Sequence, residues 1–110
     1  MKVGIVQMSC SVGDVKKNIA AISCWTEKAK LQGCDLVVFP EMSDTGYEMA
    51  AIRENADSWE RGQFAALQQI AAKSKLFLAS GISEREKDQI FNSLAVLGPD
   101  GTLIGKYRKT

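Results

Sequence analysis

Residues 36–47 read LVVFPEMSDTGY. An apolar run, Leu36 to Phe39, meets Pro40, and a carboxylate, Glu41, follows at once. Such a run without alternation predicts a strand buried on both faces, so Glu41 emerges where that strand leaves the core. Working back towards the N-terminus, Gly33 reads as a helix stop. Val15, Ile19, Ile22 and Ala29 lie close to one face at helical spacing, and Asp14 suits an N-cap because its carboxylate can accept from a first-turn amide. Residues 2–8, KVGIVQM, read as a first strand. Beyond Tyr47, residues 48–61 are polar and irregular, with one helical turn around Met49 to Glu54. A helix is predicted from about Gln63 to Ser74, and strands at 76–82 and 90–97. The charged segment Glu84 to Asp88 reads as a solvated turn between them. Gly98-Pro99-Asp100-Gly101 is a strong turn signal, after which Thr102 to Tyr107 returns as a last strand.

Strand, helix, strand, helix, then three strands on tight turns predicts an α/β fold with a mixed sheet and helices on one face. The other sheet face needs a cover, which a second sheet packed against the first would supply.

A length of 110 residues fits one modest domain. A net charge of +1 creates no field that implies a nucleic-acid or membrane partner. No apolar run has the length of a bilayer span, and MKVGIVQMSC lacks an export signal, so a cytoplasmic location is the expectation. Histidine is absent, which removes Ser-His-Asp and Cys-His catalysis and most zinc sites from this stretch. Any general base here is a carboxylate, a lysine or a tyrosine. Cys10, Cys24 and Cys34 have no CxxC spacing and fit a reducing compartment. Neither Cys10 nor Cys34 has a basic neighbour poised to make a thiolate. No GxGxxG, P-loop, HExxH or EF-hand pattern occurs.

Taken alone, Glu41 fits a solvated turn carboxylate. Pro40 before it, the turn at Gly46-Tyr47 after it and the apolar run behind it favour a cleft position, where desolvation raises a carboxylate pKa. Lys109 fits a solvated basic tail, or a fixed cation at a strand end aimed at developing negative charge. Arg108 is expected on the opposite face of its strand, paired with a carboxylate. Asn92 and Ser93, polar residues in an apolar strand, are expected to satisfy nearby structure.

VGIVQM, the Gly13-Asp14 and Asn18 pattern, LVVFPEMSDTGY, FNSLAVLGPDG and GKYRKT together resemble the N-terminal part of the nitrilase superfamily, the carbon–nitrogen hydrolases. The resemblance implies the first half of a four-layer αββα sandwich, with residues 1–110 forming the N-terminal part of a single, truncated hydrolase domain. It implies hydrolysis of a small amide, nitrile or carbamoyl substrate by a Glu-Lys-Cys triad. Glu41 takes the general-base position and Lys109 that of the oxyanion stabiliser. Tyr47 is a candidate for the substrate pocket. The family's cysteine is expected beyond Thr110, at a later strand-to-helix turn, so this stretch alone is expected to be inactive. The resemblance calls for no metal or organic cofactor and implies a homodimer or higher homo-oligomer. Two alternatives stay open: a non-catalytic binding or interaction module on the same half-fold, and a nucleotide-binding α/β domain, which lacks its glycine loop.

Overall fold

The computed structural model describes residues 1–57 and 62–109. Its elements run β1 (Val3–Ile5), α1 (Val15–Leu31), β2 (Leu36–Val38), α2 (Met49–Asn55), α3 (Gln63–Ser74), β3 (Phe77–Glu86), β4 (Gln89–Leu97) and β5 (Leu103–Arg108). The strands form one sheet in the order β1-β2-β3-β4-β5. β1, β2 and β3 pair in parallel, and β3-β4 and β4-β5 are antiparallel. This is the mixed α/β sheet expected from the sequence.

α1 begins where Asp14 accepts from Lys17 N at 3.1 Å. It ends just before Gly33, whose φ of +79° suits glycine. Ile22 and Ala29 of α1 and Phe64, Leu67 and Ala71 of α3 share one core with Val37, Leu78, Ala95 and Leu97 of the sheet. The cross-strand register places the other set of side chains on the opposite face: Val3 and Ile5, Val38, Ala79 and Gly81, then Leu94 and Tyr107. Ile5 and Tyr107 are 74% and 59% exposed there. The helices therefore cover one face and leave an apolar face open, as anticipated. The same asymmetry appears in β2, where Val37 is buried while Leu36 and Val38 are only half-buried in this chain.

Three expectations need correction. The first strand is shorter than 2–8: ladder pairing stops at Ile5, and a last bond from Val6 N to Val38 O ends contact with β2. The helical turn near Met49 is a full short helix, opened by the Glu48 carboxylate accepting from Ala50 N and Ala51 N at 2.9 Å. The part of that polar segment at residues 58–61 lies outside the described residues. The largest correction concerns Glu84 to Asp88. Only Lys87 and Asp88 make the turn, with Lys87 at φ +55°. Glu84 belongs to β3 and is 1% exposed. A run of charged letters suggests solvent, but the 84 position falls on the helix-bearing side, where cations from β5 meet it.

Candidate active site

The chain leaving β2 crosses the open face of β3. It can do so because that face of β3 carries small residues, Ala79, Gly81 and Ser83. Gly81 N donates to Pro40 O at 3.2 Å, and Ser43 N donates to Gly81 O at 3.3 Å. A Cβ at Gly81 would stand 2.5 Å from Pro40 O and against Glu41 Cα. The crossing turn then tightens. Met42 takes φ +51°, the Ser43 hydroxyl donates to Pro40 O, and Gly46 N donates to Met42 O at 2.8 Å.

Asp44 anchors this turn from below. Its buried carboxylate accepts from Ser83 N at 3.0 Å and from the Ser83 hydroxyl at 2.7 Å. Burial pushes its pKa up, and the Ser83 donors offset part of that rise. Asn18 ties the other side, donating to Asp44 O at 2.9 Å and to Ser11 O at 2.7 Å. Asp44→Ala strands the Ser83 amide and hydroxyl in a dry site. It is expected to lower stability by about 3 kcal/mol, since each unsatisfied buried polar group costs about 1–3 kcal/mol. Thermal melting of the variant checks this, and an unchanged midpoint would remove Asp44 as the anchor.

Held in this way, Glu41 faces the end of β5. Lys109 N donates to Asn92 O at 2.8 Å, which extends the β4–β5 ladder by one residue. Lys109 Nζ then donates to Glu41 Oε1 at 3.2 Å, and Asn92 Nδ2 donates to Glu41 Oε2 at 3.2 Å. The residues 41 and 109, 68 positions apart, thus converge on one spot. They border a cleft of about 390 Å³, also lined by Phe39, Leu94 and Tyr107, on the open apolar face.

The electrostatics differ from the sequence expectation. The bond from Lys109, then that from Asn92, hold Glu41 below the ordinary glutamate range, outweighing the slight desolvation. The cause is geometric, because the Glu41 side chain is 49% exposed and so is not the desolvated carboxylate anticipated. The same bond from the other side raises Lys109. At neutral pH the site therefore holds a carboxylate able to accept a proton and an ammonium able to donate hydrogen bonds. Ion pairs this exposed contribute little to the stability of this chain.

Tyr47 lies next door. With Met42, Met49 and Ile90 it lines a separate hollow of about 430 Å³, which meets the first only at Asn92. Tyr107 is the tyrosine on the Glu41–Lys109 cleft itself. None of the three cysteines lines either hollow. Cys34 is buried beside Gly4, Cys24 is exposed on α1, and burial followed by the charge of Asp44 pushes the Cys10 thiol up. Among the described residues no group of three or more His, Cys, Asp or Glu side chains is placed to hold a metal ion. No described helix is long and apolar enough to cross a membrane.

Sequence reading assigned Asn92 to general satisfaction of nearby structure. Its partner is Glu41 itself, and the strand alternation that puts Asn92 beside Leu94 on the open face was the available signal. Ser93, one residue on, faces the other way and donates to Glu84 Oε1 at 2.7 Å. Arg108 fulfils the pairing expected of it, binding Glu84 with Nε and Nη2 at 3.0 and 2.9 Å. Gly81 and Asp44 were not singled out. The small-residue alternation at 79, 81 and 83 marks the close backbone approach that explains both.

The sequence profile of the carbon-nitrogen hydrolase family matches residues 2–110. A protein of Staphylococcus aureus named as the hydrolase in the agr operon is 36% identical over 99% of this chain and 42% of its own length. A nitrilase of Pyrococcus abyssi is 35% identical over 99% of this chain and 43% of its own. The chain thus spans about two fifths of the length of these relatives. The crystal structure of an amidase from Nesterenkonia sp. shares the fold, with a TM-score of 0.88 at 22% identity over 99% of this chain and 42% of that one.

Proposed function

Since this chain belongs to the carbon–nitrogen hydrolase family, we propose that its protein hydrolyses a small amide, nitrile or carbamoyl substrate, with Glu41 as general base and Lys109 as oxyanion stabiliser. The reading assigns residues 1–110 to the N-terminal part of one hydrolase domain and the nucleophilic cysteine to sequence beyond them. A cytoplasmic homodimer or higher homo-oligomer belongs to the same reading and rests on the resemblance. The observation that carries the proposal is the 3.2 Å approach of Lys109 Nζ to Glu41 Oε1, 68 positions apart, at one cleft. Relatives named as a nitrilase and an amidase support the substrate class.

For an amide the chemistry balances with these groups. Glu41 takes the proton of the thiol, and the thiolate attacks the carbonyl carbon. Lys109 stabilises the oxygen of the tetrahedral intermediate, as a preorganised cation does where charge develops. Protonated Glu41 passes its proton to the departing nitrogen, and a thioester is left. Glu41 then deprotonates water, which attacks the thioester and expels the thiolate, and the thiolate regains its proton from Glu41. The low pKa of Glu41 makes it a modest base for a free thiol. An ammonium beside the thiol compensates by lowering the thiol pKa, a second task for Lys109.

Lys109→Met tests the assignment. In the full-length enzyme it is expected to lower kcat by about 10²–10³-fold, the usual cost of one lost oxyanion donor, with a smaller effect on KM. Steady-state kinetics on a small amide check this. A kcat within a few-fold of the parent would end Lys109's role.

A further inference from the structure

Glu84 is a buried carboxylate with no part in the chemistry above. It accepts four hydrogen bonds: Ser93 Oγ at 2.7 Å and Arg108 Nε at 3.0 Å on Oε1, Arg108 Nη2 at 2.9 Å and Lys106 Nζ at 3.0 Å on Oε2. Burial alone would raise its pKa. The bonds from Arg108, Ser93 and Lys106 outweigh burial and hold it below the ordinary range. Arg108 is fixed further by Glu86 at 3.0 Å and by stacking 3.9 Å over the Phe91 ring. Every partner lies on β3, β4 or β5, on the face opposite the cleft.

Resting on the reading of Lys109 as oxyanion stabiliser, we propose that Glu84 is a positioning residue: by clamping Lys106 and Arg108 on the helix-bearing face, it fixes the register of β5 and so delivers Lys109 to Glu41 on the other face. Side chains alternate along a strand, and a slip of one residue exchanges the faces. With Lys106 and Arg108 held on one side, Tyr107 and Lys109 must project into the cleft. A slip would put Arg108 there and turn Lys109 away.

Within this chain few other side chains of β5 help the ladder to set that register. Leu103, Ile104 and Tyr107 are exposed here, and Gly105 has no side chain to choose a face. The tight turn at residues 98–101 reaches Lys109 only through a β4–β5 ladder that is irregular between Val96 and Leu97. The ionic cluster lies beyond that irregularity, next to Lys109 in sequence. Arg108 opposes Ser93 directly, so one carboxylate gathers both strands at the point where register matters.

The test reads the Glu41–Lys109 contact directly and needs no turnover. In the full chain labelled with ¹³C at glutamate carboxyls, loss of one resonance in Glu41→Gln assigns Glu41. Lys109→Met sets the reference, with Glu41 titrating upward towards the ordinary glutamate value. Glu84→Gln is expected to move the Glu41 titration upward by most of that reference shift. Arg108→Gln, which leaves Glu84 bound to Lys106 and Ser93, is expected to move it part of the way and serves if Glu84→Gln does not fold. Folded variants in which Glu41 titrates as in the parent would overturn the proposal. So would collapse of both variants to unfolded chains, because Glu84 would then be a general requirement for folding. If Lys109→Met leaves turnover intact while Glu84→Gln still shifts Glu41, the catalytic reading fails and the positioning role stands.

Discussion

On the proposed reading, Glu41→Gln in the full-length protein is expected to leave the fold intact and to lower kcat by about 10²–10⁴-fold, the range that general acid–base catalysis contributes. The fold survives because Glu41 is half-exposed and its bonds to Lys109 and Asn92 sit at the rim of the cleft. Substitutions of that kind stay within about 0.5 kcal/mol. The amide keeps the shape of the carboxylate and can still accept from Lys109, so the site stays assembled. What disappears is the capacity to take a proton from the nucleophile, return one to the leaving nitrogen and take one from water. All three transfers fall on the same side chain, so the loss belongs near the upper end of the range. Circular dichroism and steady-state kinetics on one preparation separate the two effects. Turnover near that of the parent, with the spectrum unchanged, would remove Glu41 as the base.

The pH profile of the parent carries a linked sign. On the proposed reading Glu41 acts as a base when ionised, and in this chain its pKa is lowered by Lys109 first and Asn92 second. On that reading the acid limb of kcat/KM is expected below the ordinary glutamate range, with activity declining as pH drops through it. Removing the cation in Lys109→Met removes the main cause of the depression, so the limb in the residual activity moves to higher pH.

How much of this was legible in the sequence follows from the range of each interaction. α1, α3 and the β3–β4–β5 succession are local: Asp14, the spacing of Ile22 and Ala29, and the turn at residues 98–101 state them within a few positions. Local residues single out Glu41 and Lys109, but their pairing comes only through the motif resemblance, because nothing near either residue says that they meet across 68 positions. Glu84 was misread for the same reason. Its partners Lys106 and Arg108 are 22 and 24 positions away, and a carboxylate whose compensating charges come from another strand looks solvated in one dimension. Glu41 erred in the opposite direction. An apolar run behind it suggested desolvation; in this chain, with that sheet face uncovered, it is exposed and its pKa is set by hydrogen-bond partners.

Gly81→Ala in the full-length protein should damage fold and activity together, even though it adds one methyl group far in sequence from either proposed catalytic residue. The added carbon would stand 2.5 Å from Pro40 O and 2.9 Å from Glu41 C, and against Glu41 Cα. All three are backbone atoms, so no rotamer change relieves the clash. Either β3 recedes, which its pairing with β2 and β4 resists, or the crossing turn lifts away and carries Glu41 with it. Overpacking of this kind costs about 1–3 kcal/mol. A displacement of about 1 Å in a catalytic group can cost about 10²-fold in rate. The variant is therefore expected to melt lower and to lose activity together, with the loss in kcat exceeding what partial unfolding at the assay temperature explains. Gly105→Ala is the matched control. It lies on β5 four residues from Lys109, a Cβ there meets nothing within 4 Å in this chain, and the contacts of this chain predict no change in either measurement. If Gly81→Ala is as stable and active as Gly105→Ala, the turn can retreat without moving Glu41, and close packing on β3 is not what aims the carboxylate at Lys109.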